Sequence, residues 1–350
     1  MNRPLTEKQL WTLGSLAVLS TMLRLVPGTN IAAAKNAGWL CPILALPGIL
    51  LYGLFLRALL NLRRAGETLP DLIQRRLGPG FGRAVLRLCG AWFLLYGGFL
   101  LRTWSERYFA TLGIFRHWFP FALVLLALVI PAAAGGAKAL GRASQLFLPV
   151  LTGILLLVLA CAIPRLTWGR LKAVSVHDTL PVLAGALPIM NVGWGTLLVL
   201  GFLAPAGTGT DARRGLRWAS RMCITALALS AIALGVLGSA LTAHLSYPFF
   251  ILLRNISISR ALERIEALVT AVWVLPDFVM LSALMILARR LLPVRGRPLP
   301  PWVLAAAAFG VAIILSPTAF ALAVWSETII PITGAIAALA VPAAAMTKKM

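Results

Sequence analysis

The chain has 350 residues, of which 60% are hydrophobic and only 12% charged, with a mean hydropathy of +0.91. Soluble domains are near a quarter charged, so a soluble enzyme, a DNA-binding domain and a disulfide scaffold are excluded at once. The net charge of +22 would suggest a nucleic-acid partner in a soluble protein, but here the basic residues cluster between apolar runs, so no nucleic acid is expected and membrane lipid is.

A spanning helix needs about 20 mostly apolar residues, and ten such runs follow in chain order: 9–33, 38–60, 82–103, 118–135, 143–163, 180–204, 219–242, 263–288, 301–321 and 327–346. The first run lacks a small-residue cleavage site after it and reads as a retained span. After the second, Thr68-Leu69-Pro70-Asp71 is a helix start, and Leu72, Ile73 and Leu77 over Arg75 and Arg76 predict a short amphipathic helix on the membrane face. The stretch Tyr247 to Ser259 is too short to cross and reads as interfacial or re-entrant. Roughly two thirds of the Lys and Arg residues fall at span ends on the side that holds the N-terminus, which puts both termini in the cytoplasm. Arg102 and Arg107 are counted among the outer-loop cations.

The expected architecture is all-α and polytopic, a single integral membrane domain over 1–350. Ten spans divide into two inverted halves of five, about 9–163 and 180–346, the plan of many transporters. In that plan the leading helix of each half is broken near the midplane. Span one carries Pro27-Gly28 after Ser20-Thr21-Met22, and span six carries Pro188 and then Asn191-Val192-Gly193-Trp194-Gly195-Thr196. Both are therefore expected to unwind and face a cavity, although Pro42, Pro47, Pro131 and Pro276 lie in other spans with no such role.

Ionisable groups at membrane depth usually face a bundle interior, and Arg24 and Asp277 are the deepest. Either they pair, or Arg24 extends to the outer interface. Glu263, Glu266 and Glu327 start helices, where acids are favoured. Cys41, Cys89, Cys161 and Cys223 lie inside apolar runs with no CxxC spacing and read as buried thiols. Gly207-Thr208-Gly209-Thr210-Asp211-Ala212 follows a span instead of a strand, so it is a loop and no dinucleotide site. His117, His177 and His244 are too scattered for a metal or catalytic role, and most Trp residues sit near span ends as interfacial belts. No catalytic residue, metal or cofactor is expected.

The stretch Tyr247-Pro248-Phe249-Phe250-Ile251-Leu252-Leu253-Arg254-Asn255-Ile256-Ser257-Ile258, then Leu262-Glu263-Arg264-Ile265-Glu266-Ala267 and Trp273-Val274, resembles the permease subunit of spore germinant receptors. This is the GerAB-type spore germination permease family of the amino acid–polyamine–organocation superfamily. The opening Leu-Thr-Glu-Lys-Gln-Leu and the Val26-Pro27 end of span one agree, so the resemblance covers nearly the whole chain. It implies a leucine-transporter-like fold and a role in sensing nutrients, often amino acids, in the inner membrane of the spore. Partners implied are a second membrane subunit bearing a soluble domain and a lipoprotein subunit.

By position, the resemblance puts Ser20, Thr21 and Met22 of span one and Gly193, Trp194, Gly195 and Thr196 of span six around the ligand, with Asn191 in the same stretch and parts of spans three and eight closing the pocket. Members often read Phe-Gly-Glu where this chain has Trp194-Gly195-Thr196, and often place a lysine where this chain has Met280. Without that acid and base there is less machinery for ion-coupled transport. The readings that follow are a receptor subunit, an autonomous amino-acid transporter and an ion-conducting pore.

Overall fold

The computed structural model describes residues 5–112, 117–172, 174–206, 211–245, 247–255, 269, 271–315 and 318–347. Among them the secondary structure is helical, with one isolated bridge between Val294 and Arg297. Six helical stretches are long and apolar enough on their own to cross a bilayer, and Pro301–Leu315 is a shorter apolar helix.

Helix α1 (Glu7–Ala34) begins in a capping box in which the Gln9 amide donates to Thr6 Oγ1 and the Thr6 amide to Gln9 Oε1, relieving two of the donors a helix start leaves bare. A 3-10 turn (Lys35–Leu40) leads into α2 (Cys41–Asn61). The predicted amphipathic helix is α3 (Leu69–Leu77), again boxed, by Thr68 and Asp71, with Leu69, Leu72, Ile73 and Leu77 buried.

Helix α4 (Pro79–Leu112) has 34 residues. At 1.5 Å per residue that is about 51 Å, well over the ~30 Å hydrocarbon core, so the helix outruns its apolar stretch. Arg102 and Arg107, expected in an outer loop, are therefore inside α4 and buried, at 6% and 0% exposure. The run after span three keeps its helical pattern (Thr103, Trp104, Tyr108 all face inward), which outweighs the charges.

Spans four and five are two arms of one 44-residue unit, α5 (Phe119–Ala162), bent at Gly136, whose φ of 76° and ψ of 177° are non-helical. The segment expected as a loop shrinks to that single glycine, because only a residue without Cβ holds this backbone without strain. After α6 (Trp168–Lys172) come α7 (Thr179–Leu203), α8 (Ala212–Leu237), α9 (Ser239–His244) and α10 (Pro248–Asn255). Then follow α11 (Val274–Leu291), α12 (Pro301–Leu315), α13 (Ala319–Val324), a π-helical turn (Trp325–Ile329) and α14 (Ile330–Thr347). The expected interfacial segment is in part α10; the Leu262–Ala267 string, with Glu263, Arg264 and Glu266, lies outside the described residues.

The expected breaks in spans one and six are corrected. Helix α1 is continuous through Pro27, and α7 is continuous through Pro188 and Gly193-Trp194-Gly195. Pro and Gly are tolerated inside spanning helices because neighbours and local adjustment satisfy the backbone groups they free, so their presence did not require unwinding. These two helices form the centre of the bundle, and α1 packs more extensively on α7 than on any other element. A Cβ on Gly14 of α1 would lie 2.5 Å from Leu200 Cδ1 of α7, so the absent side chain sets their approach. Around them, Leu51, Leu88, Leu146 and Ile314 are among the large apolar side chains left exposed, at 68–75%; water would penalise such a belt, and lipid does not.

Candidate functional site

A cavity of about 500 Å³ lies where α1, α4, α7, α11 and the last span meet. Its α1 wall is Thr21, Leu25 and Thr29, spaced four apart and so on one helix face. Helix α4 contributes Trp92 and Tyr96, stacked with ring centroids 5.2 Å apart. From α7 come Asn191, Val192, Trp194, Gly195 and Thr196, and from α11 Met280.

The last span presents Ser326 and Glu327 to the same space. Their turn is π-helical: the Ile330 amide donates to Trp325 O, one residue wider than an α-helix allows. Pro331 follows and has no amide to give the Glu327 carbonyl, which removes one of the bonds that would tighten this turn. Asn191 Nδ2 donates to Pro331 O at 2.9 Å, tying α7 to the turn. Glu327, expected as a simple helix-start acid, stands instead exposed in the cavity wall.

The glycines of span six differ in task. A Cβ on Gly193 would be 2.8 Å from Ile49 Cγ1, so Gly193 seats α7 on α2. A Cβ on Gly195 would meet nothing within 4 Å, so its surface is open cavity. Between them, Trp194 Nε1 donates to Gly48 O of α2 at 3.1 Å, and Thr196 Oγ1 donates back to Val192 O at 2.8 Å. Trp194 is thus both wall and strut. Of the residues expected around a ligand, Thr21, Asn191, Trp194, Gly195 and Thr196 line the cavity. Met22 is fully buried, Gly193 packs on Ile49, and Ser20 is engaged elsewhere. Trp92 and Tyr96 carry no motif that would have singled them out; the i, i+4 aromatic pair in span three was the available signal.

Ser20 belongs to a buried polar cluster beside the cavity. Asp277 of α11 has 0% exposure; its Oδ1 accepts from Ser20 Oγ at 2.6 Å, and its Oδ2 accepts from Tyr108 Oη at 2.6 Å and from Arg107 Nη2. The guanidinium of Arg107 also lies 4.6 Å from the Tyr108 ring centroid and 5.1 Å from that of Phe250 in α10. The cation on Asp277 is Arg107; the Arg24 side chain lies outside the described residues. A buried carboxylate is tolerable only when paired and hydrogen-bonded, and this one is both. The cluster joins α1, α4 and α11 one turn from Met280. No group of three or more His, Cys, Asp or Glu side chains suited to a metal ion comes together among the described residues.

A long all-helical bundle with an apolar outer belt and a side-chain-walled internal cavity defines an integral membrane protein of permease type. The family model for spore germination proteins matches residues 5–321, and the chain belongs to that family. No curated protein matches it. Among solved structures it is similar to a manganese transporter from Eremococcus coleocola. One mutant of that protein has a TM-score of 0.53 at 12% identity, covering 96% of this chain and 75% of that one. Its complex with an aromatic bis-isothiourea substituted compound has a TM-score of 0.50 at 13% identity, covering 96% and 76%. At such identities the likeness establishes the fold, which is leucine-transporter-like.

Proposed function

We propose that this chain is the membrane subunit of a spore nutrient germinant receptor, with a small germinant, an amino acid, held in the cavity between α1 and α7. The observation that carries the reading is that a 500 Å³ space opens at the two helices that head the chain's halves, with Thr21, Asn191, Trp194, Gly195 and Thr196 in its wall. It combines apolar surface with a few placed polar groups, as small-molecule sites do. Because α1 and α7 stay helical, ligand contacts come from side chains, not from freed peptide groups. Membership of the spore germination family supports the receptor role. The two halves, about 9–163 and 180–346, act as inverted repeats of one domain without catalytic chemistry, seated in the spore's inner membrane with both termini cytoplasmic.

Binding then shifts the population of two bundle arrangements by the ligand's differential affinity for them. A second membrane subunit with a soluble domain and a lipoprotein subunit receive the change. The Asp277–Arg107–Tyr108–Ser20 cluster positions α1, α4 and α11 around the ligand space.

The test is Gly195→Leu. The added Cβ meets nothing within 4 Å at a residue that lines the cavity, so the protein should reach the membrane with unchanged thermal stability while the germinant dose response moves at least tenfold to higher concentration. An unchanged dose response refutes the site. Gly193→Leu, by contrast, should lower stability through Ile49. A second reading, an autonomous amino-acid transporter, is favoured by the fold shared with a manganese transporter. It requires the purified chain alone to accumulate labelled amino acid in liposomes against a gradient.

A further inference from the structure

On the Arg-rich side of the bundle, α1, α2, α7 and α8 enclose a second cavity of about 280 Å³. It shares no lining residue with the first, so a ligand here is independent of any germinant. The walls are apolar apart from Arg57 and Asp211. Leu54 and Leu216 form part of the rim and are 57% and 50% exposed, so the cavity opens sideways to the acyl region of the bilayer.

Trp11 and Trp218 both line the cavity, while their indole nitrogens are covered by protein and not open to it. Interfacial belt tryptophans sit on the lipid face with their N–H reaching polar headgroups. Here Trp218 is only 4% exposed, and the two rings face each other with centroids 6.0 Å apart. The two rings therefore give the cavity an apolar wall.

The charges are unbalanced in one direction. Asp211 is already engaged, accepting from the Arg213 amide at 2.9 Å and lying 3.5 Å from Arg214 Nε, and Arg214 also pairs with Glu7 at 3.0 Å. Arg57 has no acid partner among the described residues. Trp11 is four residues into α1, Arg57 four residues from the end of α2, and Trp218 six residues into α8. At 1.5 Å per residue each lies roughly 6–9 Å from its helix end, so the three share one level near one end of the bundle.

We infer that this cavity binds one anionic glycerophospholipid: an acyl chain occupies the apolar space beside the Trp11 and Trp218 rings, and the phosphate lies against Arg57. Gly53 and Gly215 keep the chain's path clear. A Cβ on Gly53 would meet only Leu197 Cδ1, at 3.8 Å, so a larger side chain there fills the cavity without displacing backbone.

The full chain is purified in detergent, offered phosphatidylglycerol or phosphatidylcholine, and read by native mass spectrometry. One retained phosphatidylglycerol is expected, about fivefold preferred over phosphatidylcholine, the preference one basic residue near the headgroup provides. Arg57→Gln should remove the preference and Arg57→Lys keep it, neither touching the packed core. Gly53→Phe should reduce retention of both lipids at unchanged thermal stability. Equal retention of the two lipids by the unaltered chain, or phosphatidylglycerol retained by Gly53→Phe as well as by the parent, overturns the inference.

Discussion

Asp277 shows how far a single residue can be read from sequence. Its depth was plain from an acid inside a 26-residue apolar run, and so was its need for a cation. The identity of that cation was hidden, because Arg107 lies four residues past the end of a 22-residue apolar stretch and was counted with loop charges. What places it is the unbroken helix α4, whose inward face continues through Thr103, Trp104 and Tyr108. The pair now shares one fate. Arg107→Met leaves a bare buried carboxylate and should cost about 3–5 kcal/mol, whereas Arg107→Met with Asp277→Leu should recover most of that loss. Thermal unfolding of the single and double variants in detergent measures the difference; equal loss in both would mean the pair is not coupled.

At the level of elements, two devices outside the cavity have predictable strengths. The bend in α5 rests on Gly136, in a backbone region that is almost closed to other residues. Gly136→Ala should therefore destabilise by about 1–3 kcal/mol. Gly135→Ala, whose Cβ would meet Ala139 Cβ at an ordinary 3.5 Å, should change stability little; the same unfolding measurement compares them. The second device fixes the turn between α2 and α3. Glu67 accepts Arg75 Nε at 2.7 Å and Nη2 at 2.9 Å, and also the Arg64 amide at 2.7 Å.

The Arg75 hydrogen bonds, joined by the Arg64 amide and both positive charges, hold the Glu67 carboxyl down to about 2, and Arg75 rises above its ordinary value in return. A carboxyl with a depressed folded value adds stability above its unfolded value, near 4.3, and loses it as pH falls toward 2. A melting series from pH 5 to pH 2 should therefore show a steeper fall for the parent than for Glu67→Gln. Parallel curves would remove Glu67 from the account. The surroundings of both devices were visible beforehand, but neither device was. The Thr68–Asp71 start of α3 was read from its residue types, while Gly136 fell between spans four (118–135) and five (143–163) and was not singled out, because a one-residue reversal leaves no run of turn residues to find.

For the molecule as a whole, hydropathy located nearly every membrane helix, since crossing lipid imposes a length and a composition that any arrangement must obey. Hydropathy does not encode which helices stay intact. Pro27 and Pro188 predicted two breaks and produced none, because a proline in a bundle is judged by its neighbours and not by its own preference. The wall formed by α7 was legible through Asn191 and Trp194-Gly195-Thr196. Span three was expected to close the space, but the particular side chains Trp92 and Tyr96 and the π-turn acid Glu327 were not legible, as they meet only through contacts distant in sequence. A hollow bounded by intact rods has its chemistry set by exchangeable side chains at a few sites, not by backbone that every relative must share. Gly195 and Glu327 can each be replaced without rebuilding the frame, so duplicated copies of such a gene could diverge in what they recognise through one or two codon changes.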